Sequence, residues 1–351
     1  MIKKAVSIIL LIFTTLVLPG CGEKELTKYQ AEFIMLFDTV TRIVGYTETK
    51  EEFTGYSQII RDDLKEYHQL YDIYHDYEGI NNIKTINDNA GILPVKVDQK
   101  IIDLLLESRE IEKITNHKMN VAFGAVLKVW HDYRTEGIEF PEMAKLPPLE
   151  TLREMSEHTN MDEIVINEED STVFLSDPEM SLDVGAIAKG YATEMTANYI
   201  EEQGFENGMI SVGGNVRTIG HKVGEGGEAL AWNVGIQNPE VESETTTVHI
   251  LELQDMSLVT SGVYERYYTV DGKQYHHIID PSTLFPSEEY KSVSIVCQDS
   301  GRADAFSTAV FNMSLEEGKQ LIESQKDTEA FWILNDGSFV YSSGFEQFIK
   351  E

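Results

Sequence analysis

The chain has 351 residues, 60 of them acidic against 28 basic, which gives a formal charge of −32 at neutral pH. So negative a molecule repels phosphate backbones and anionic lipid headgroups, which excludes nucleic acid as a natural partner. Its length admits one large domain or two modest ones, with enough apolar residues for a sizeable core.

Lys3 and Lys4 precede an apolar run from Ala5 to Leu18, followed by Leu18-Pro19-Gly20-Cys21, the order of a secretory signal. At roughly 14 residues the run is too short for a helical membrane span of about 20. The ending resembles the lipobox of bacterial lipoproteins, in which cleavage precedes a cysteine that then carries lipid. Residues 1–20 are therefore expected to be a lipoprotein signal peptide, Cys21 the lipidation site, and residues 21–32 a polar tether to the membrane. Loss of the 20 residues from 351 leaves 331, and loss of Lys3 and Lys4 takes the charge from −32 to −34. Only Cys297 then remains as a thiol, so packing holds the fold without an internal disulfide. Cys297 lies in the apolar SVSIVC, a buried strand.

Folding is expected to begin near Phe33, with one domain over 33–351. FIMLFDTVTRIVGY predicts a first strand or hairpin, and SQIIRDDLKEYHQLYDIYH has helical spacing from Ile59 to Tyr74. IIDLLLESREIEKIT repeats that pattern behind the candidate cap Asp98. KLPPLETLREMSE reads as a loop entering a short helix, and DEIVINEEDSTVFLS as short strands. A helix is expected from near Ala186, then MISVGGNVRTIG with its Gly-Gly break. VYERYYTVDGKQYHHIID and FWILNDGSFVYSS read as hairpins around Asp271-Gly272 and Asp336-Gly337. Between them RADAFSTAVFNM and SLEEGKQLIESQ predict two helices, the second opened by a capping box of Ser314 and Glu317. Strands and helices cluster without regular alternation, so the fold class is α+β with mixed or antiparallel sheets.

Four constellations can carry chemistry. In SLDVGAIAKGYATE, Gly185 permits a tight turn, the following helix directs its positive end toward whatever precedes it, and Lys189 adds a full charge to that side. Asp304 and Thr308, four apart in RADAFSTAV, place a carboxylate and a hydroxyl on one helical face, suited to a hard cation such as Mg²⁺. His276 and His277 point to opposite faces of a strand, so only one serves a given site as a proton acceptor. In SVGGNV, Gly213 and Gly214 let the backbone approach a ligand that Asn215 can hydrogen-bond. Each pattern alone also has an ordinary structural reading: a surface lysine, an aspartate complementing a helix dipole, a half-buried strand histidine, a turn. The motifs of dinucleotide-binding, P-loop, zincin and hydrolase sites are all missing.

Taken in order, DVGAIAKGYA, SVGGNV, TSGVYERYY, HHIIDPST and ADAFSTA resemble the blocks of the ApbE family of FAD:protein FMN transferases, across nearly the whole mature chain. That resemblance implies a Mg²⁺-dependent enzyme that splits the pyrophosphate of FAD, releases AMP and transfers FMN to a threonine or serine of a target flavoprotein. It implies Ala186 (through its carbonyl), Asp304 and Thr308 as metal ligands, Lys189 beside the pyrophosphate, and His277 as the base on the acceptor hydroxyl. Asp183, Gly213, Gly214 and Asn215 fall in blocks lining the flavin nucleotide site, and Asn87, in INDNAG, in a block bordering the flavin. FDTVTRI resembles the family's first strand. A lipid anchor would place the enzyme on the outer face of the bacterial cytoplasmic membrane, or the periplasmic side where an outer membrane exists. Its acceptors would then be extracytoplasmic flavin-acceptor domains of membrane electron-transfer proteins. Two departures stand out: Leu284-Phe285-Pro286 replaces the family's Gly before Pro, so the loop is expected to be reshaped for want of an easy positive φ, and NHKMNVAFGAVLKVW stands where many members carry Gly-x-Phe-Asp. The alternatives are an FAD pyrophosphatase using water as acceptor, and a non-catalytic flavin-binding lipoprotein.

Overall fold

The computed structural model describes residues 25–351 except 241, 242, 244 and 265, so the expected signal peptide and Cys21 lie outside the described residues. Strands β1 (Thr27–Leu36) and β2 (Thr39–Thr47) form a hairpin whose two turn residues, Phe37 and Asp38, are both left-handed (φ 51° and 54°). Pairing starts at Thr27 opposite Thr47, which corrects the expected tether of 21–32: residues 27–32 are already sheet. Their polarity is that of an edge strand. Glu32 pairs with Arg42 across the hairpin, and Tyr29 stacks on Phe53.

Helix α1 (Lys50–Tyr71) starts earlier than its apolar spacing announces, because Thr49 caps it by accepting from the amide of Glu52. After α2 (Ile83–Asp88) and the short β3 (Val95–Lys96) comes α3 (Gln99–Ile114), capped by Asp98 as expected. Helix α4 (Gly124–Glu139) has no side-chain cap, and the sequence does not announce it. There follow α5 (Leu149–Ser156), β4 (Ile164–Asn167), β5 (Thr172–Leu175), α6 (Ala188–Glu202), β6 (Gly208–Val212) and β7 (Asn215–Ile219). Two short strands, β8 (Lys222–Val223) and β9 (Ala229–Leu230), lead to the hairpin β10 (Trp232–Gln237) and β11 (Thr247–Leu253). The rest comprises β12 (Ser257–Gly262), hairpin β13 (Tyr267–Val270) and β14 (Lys273–His276), β15 (Tyr290–Cys297), α7 (Ser300–Phe311), α8 (Leu315–Ser324), β16 (Glu329–Leu334) and β17 (Phe339–Tyr341).

The main sheet has eight antiparallel strands in the order β1-β2-β6-β7-β12-β15-β16-β17, and the α+β class holds. Apolar residues of α1, α3, α6 and α7 cover one face. The hairpin β10–β11 covers the other, setting Trp232, Val234, Ile236, Leu251 and Leu253 against Val216, Leu258, Val296 and Phe331. Strand β15 is consequently buried on both faces, which is why SVSIVC carries no polar alternation of charge. Cys297 is buried there, and burial pushes its thiol up to about 12. Among the described residues no helix is long and apolar enough to cross a membrane.

A third cluster packs α4 and α5 against β13–β14 and the loop after it, through Phe123, Trp130, Leu152, Tyr268, Ile279 and Leu284. The start of α4 abuts Ser181, where a Cβ on Gly124 would stand 2.2 Å from the Ser181 carbonyl oxygen. In the loop, Leu284 does take positive φ (64°), which corrects the expected reshaping. The strain is offset locally. The Leu284 amide donates to Asp280 (2.8 Å), its carbonyl accepts from Trp130 Nε1 (3.0 Å), its side chain is buried, and Lys118 pairs with Asp280 at 2.8 Å.

This conformation inverts a common ranking. Leu284→Ala keeps the left-handed strain and empties a core position, at a cost of about 2–5 kcal/mol. Leu284→Gly empties the same position but relieves the strain, and is expected to be about 1 kcal/mol more stable than the alanine variant in urea denaturation.

Candidate active site

Helix α6 begins at Ala188, two residues later than expected, after a turn through Gly185, Ala186 and Ile187. Its first-turn amides are not all open to a ligand. Gly190 donates its N–H to Asp304 Oδ2 at 2.8 Å, joining α6 to α7. Only glycine allows that approach: a Cβ at position 190 would stand 2.1 Å from the Ser300 carbonyl oxygen and 2.5 Å from Asp304 Cβ. The AKG run therefore supplies a cation, Lys189, and the space in which α7 brings a carboxylate beside it.

Asp304 is buried, and burial pushes its carboxyl above the ordinary value, against the opposing effects of Lys189, the Gly190 amide and the Asn215 amide. Among the described residues it has no cation within 4.0 Å, so a buried acid lacks a full counter-charge. Asn215 is also buried and turned toward Asp304, its amide nitrogen too far or too poorly aligned to complete a hydrogen bond to it. Thr308, half-buried, lies one helical turn beyond Asp304 on α7. No group of three or more His, Cys, Asp or Glu side chains converges on a metal position among the described residues. One carboxylate with a hydroxyl one turn along the same helix, joined by the Ala186 carbonyl that the resemblance implies, would be a donor set a hard cation accepts when phosphate oxygens complete its shell.

Asn215 follows a two-residue turn in which Gly213 and Gly214 are both left-handed (φ 56° and 94°), a geometry that matches the twist of β6 and β7. Asn87 ties its block to the segment before α6. Its amide donates to the Leu182 carbonyl at 2.9 Å and accepts from the Leu182 amide at 2.7 Å. Asn87 thus fixes the segment that presents Asp183, with one amide proton and one oxygen lone pair left over. Burial pushes the Asp183 carboxyl up, while the Gly185 amide at 2.9 Å and the charges of His131, Arg134 and Arg266 draw it down.

The two histidines divide, though β14 ends at His276 and His277 lies in the bend after it. His276 is buried, with Nε2 on the Ser287 carbonyl (2.7 Å) and Nδ1 accepting from the Ile278 amide (3.2 Å). It has no free nitrogen. His277 is half-buried, and its Nδ1 lies 3.2 Å from the Arg266 carbonyl, so that nitrogen carries the proton and Nε2 is left as acceptor. Burial, then the charges of Arg266, Arg134, His276 and Lys189, hold the ring down to about 3.

Sequence reasoning missed Arg134, His131 and Tyr74. Arg134 and His131 lie on α4, the helix that no cap announced, with Arg134 Nη2 donating to His131 Nδ1 at 3.1 Å. The Tyr74 ring lies against His131, with centroids 5.3 Å apart and the planes tilted by 33°. Arg134 and Arg266 both act electrostatically on Asp183 and His277, inside a molecule of charge −32. The arrangement can bind a polyphosphate-like anion, hold a hard cation at Asp304, and take a proton at His277.

The site suits an anionic substrate, and the relatives are transferases. Residues 37–332 match the model of the ApbE family. The chain is 30% identical over 280 residues to a FAD:protein FMN transferase of Klebsiella pneumoniae, covering 78% of this chain and 83% of that protein. It is 32% identical over 272 residues to one of Treponema pallidum, covering 75% and 73%. Among solved structures, the ApbE protein of Thermotoga maritima superposes with a TM-score of 0.79 at 28% identity, covering 93% of this chain and 100% of that one. The flavin transferase ApbE of Vibrio cholerae shares the fold, with a TM-score of 0.74 at 23% identity over 92% and 100%. The chain belongs to the ApbE family.

Because the folded-state pKa of His277 is depressed, the neutral ring is the form that folding favours; stability is full above the ordinary pKa of about 6.5 and declines as pH falls toward about 3. In the unliganded protein the His277 Cε1 proton should show no NMR titration between pH 8 and 5. A midpoint near 6.5 would mean that the surrounding cations do not act on the ring.

Proposed function

We propose that this chain transfers FMN from FAD to a threonine or serine hydroxyl of a target flavoprotein, with Mg²⁺ as cofactor, and releases AMP. The observation that carries this reading is the Gly190–Asp304 hydrogen bond, which sets a buried carboxylate beside the residue next to Lys189, with His277 within electrostatic reach of that lysine. Asp304, Thr308 and the Ala186 carbonyl would hold the metal, which when bound supplies charge neutralisation at the pyrophosphate. Lys189 adds a fixed positive charge to the same oxygens. Gly213 and Gly214 let the backbone come close to the nucleotide, with Asn215 and Asp183 at its edges.

His277 takes the proton of the acceptor hydroxyl at Nε2, its ring held in place by the Arg266 carbonyl at Nδ1. The acceptor oxygen forms a bond to the phosphorus of the FMN moiety. The bridging P–O bond breaks with its electron pair on the AMP phosphate, and AMP leaves. An anionic substrate lodged among Arg266, Arg134 and Lys189 cancels the charges that depress the ring, so His277 becomes a better base when FAD is bound. The apolar leader ending at Cys21 supports a lipid-anchored enzyme outside the cytoplasmic membrane, acting on flavin-acceptor domains of membrane electron-transfer proteins.

The purified chain, mixed with FAD, Mg²⁺ and a candidate acceptor domain, should give a flavin-fluorescent acceptor band that survives denaturation. Asp304→Asn should reduce the initial rate by at least 100-fold, as should omission of Mg²⁺. AMP and free FMN accumulating with no labelled band would make the enzyme a pyrophosphatase. Intact FAD with every acceptor tried would leave a flavin carrier.

A further inference from the structure

Two hydrogen bonds, one helical turn apart, join α6 to α7. The Gly190 amide donates to Asp304 Oδ2 at 2.8 Å, and the Ser300 amide donates to Glu194 Oε2 at 2.9 Å. Residues 190 and 194 share one face of α6, and residues 300 and 304 one face of α7, so the helices run antiparallel along this contact and each supplies one donor and one carboxylate. The same Glu194 Oε2 accepts from Arg217 Nε at 3.1 Å, and Arg217 lies on β7 two residues beyond Asn215. Arg217 is held in turn by the Thr218 carbonyl, which accepts from Nη1, and by Glu201 at 3.6 Å. One buried carboxylate oxygen therefore ties together the three elements that carry Lys189, Asp304 and Asn215.

The packing beneath these bonds is smooth. A Cβ on Gly301 would stand 3.1 Å from Tyr191 Cα, and one on Gly190 would meet the Ser300 carbonyl. Faces that bring backbones this close have few ridges to interlock, so packing alone leaves the slide of one helix along the other loosely set. A satisfied buried polar network supplies the missing specification.

We propose that Glu194 is a positioning residue for Asp304: by holding the first amide of α7 against α6 and the start of β7, it sets the height at which the Asp304 carboxylate meets the Gly190 amide. Without this second bond α7 keeps its apolar contacts but shifts along α6, and Asp304 loses its register with the residue that follows Lys189. The catalytic consequence rests on the transferase reading; the geometric one does not. A displacement of about 1 Å at a reacting centre costs on the order of 100-fold in rate.

Two variants remove the bond in different ways. Glu194→Ala deletes the acceptor. Ser300→Pro deletes the donor and leaves the Glu194–Arg217 pair in place, which keeps the test available where the alanine variant does not fold. Proline suits the first position of a helix, Asp299 before it is already extended (φ −92°, ψ 117°), and the Ser300 hydroxyl has no hydrogen-bond partner to lose. Glu194→Gln retains an oxygen that can accept from both Ser300 and Arg217.

The first readout is amide hydrogen exchange by NMR in the full chain without FAD, comparing Gly190 with Ile295, which is paired on both sides in the centre of the sheet. In Glu194→Ala and Ser300→Pro the exchange of Gly190 should accelerate at least tenfold more than that of Ile295, and in Glu194→Gln the two should change alike. In the transfer assay with Mg²⁺ the first two variants should lower kcat about 100-fold and leave KM for FAD within threefold, and Glu194→Gln should recover at least a tenfold part of that loss. Equal acceleration of Gly190 and Ile295 marks general loosening and overturns the proposal, as does an unchanged Gly190. Wild-type kcat in a variant whose Gly190 amide has been freed overturns the catalytic consequence. Should the wild-type chain transfer nothing to any acceptor while the exchange contrast holds, the positioning role stands and the transferase reading falls.

Discussion

The hydrogen bond from the Gly190 amide to the Asp304 carboxylate is the constraint on which the site depends. It requires α6 and α7 to approach more closely than any side chain at position 190 permits. That approach buries Asp304, and burial gives the carboxylate its need for a cation. The same crossing sets Lys189, one residue earlier, on the open side of the helix. A single glycine thus couples the packing of the core to the placement of both charges.

Electrostatics of opposite sign govern the two scales of the molecule. The chain as a whole is strongly acidic, whereas Lys189, Arg134 and Arg266 all act on His277. The net charge opposes the approach of an anionic substrate from solution, and these side chains oppose that repulsion locally. Its affinity then depends on the local cations, whose low-dielectric surroundings weaken screening by salt.

Much of the fold was legible because local chemistry declared it. The Asp271-Gly272 turn takes the left-handed angles its residues favour, Asp98 caps α3, and Ser314 with Glu317 closes a capping box on α8. Lys189, His277, Asp304 and the Gly213-Gly214 turn were legible from short motifs that resemble a family's. Helix α4 was not. It starts at a glycine behind an uncapped phenylalanine, and what fixes it is the tertiary contact of Gly124 with Ser181. Arg134 and His131 were hidden with it. Asn87 illustrates the converse: a polar residue in a matching block, whose amide turns out to serve the backbone of Leu182. Leu284 shows that a glycine position can be filled by a leucine when a buried side chain and the Trp130 indole offset the strain.

The register of the first hairpin has a geometric consequence. Pairing begins at Thr27, so with lipid on Cys21, as proposed, only residues 22–26 separate the anchor from a rigid sheet edge. Five residues reach at most about 18 Å when fully extended. The enzyme would then not roam on a long leash; it would patrol a thin layer next to the bilayer, and an acceptor threonine would have to present itself within that layer to be modified.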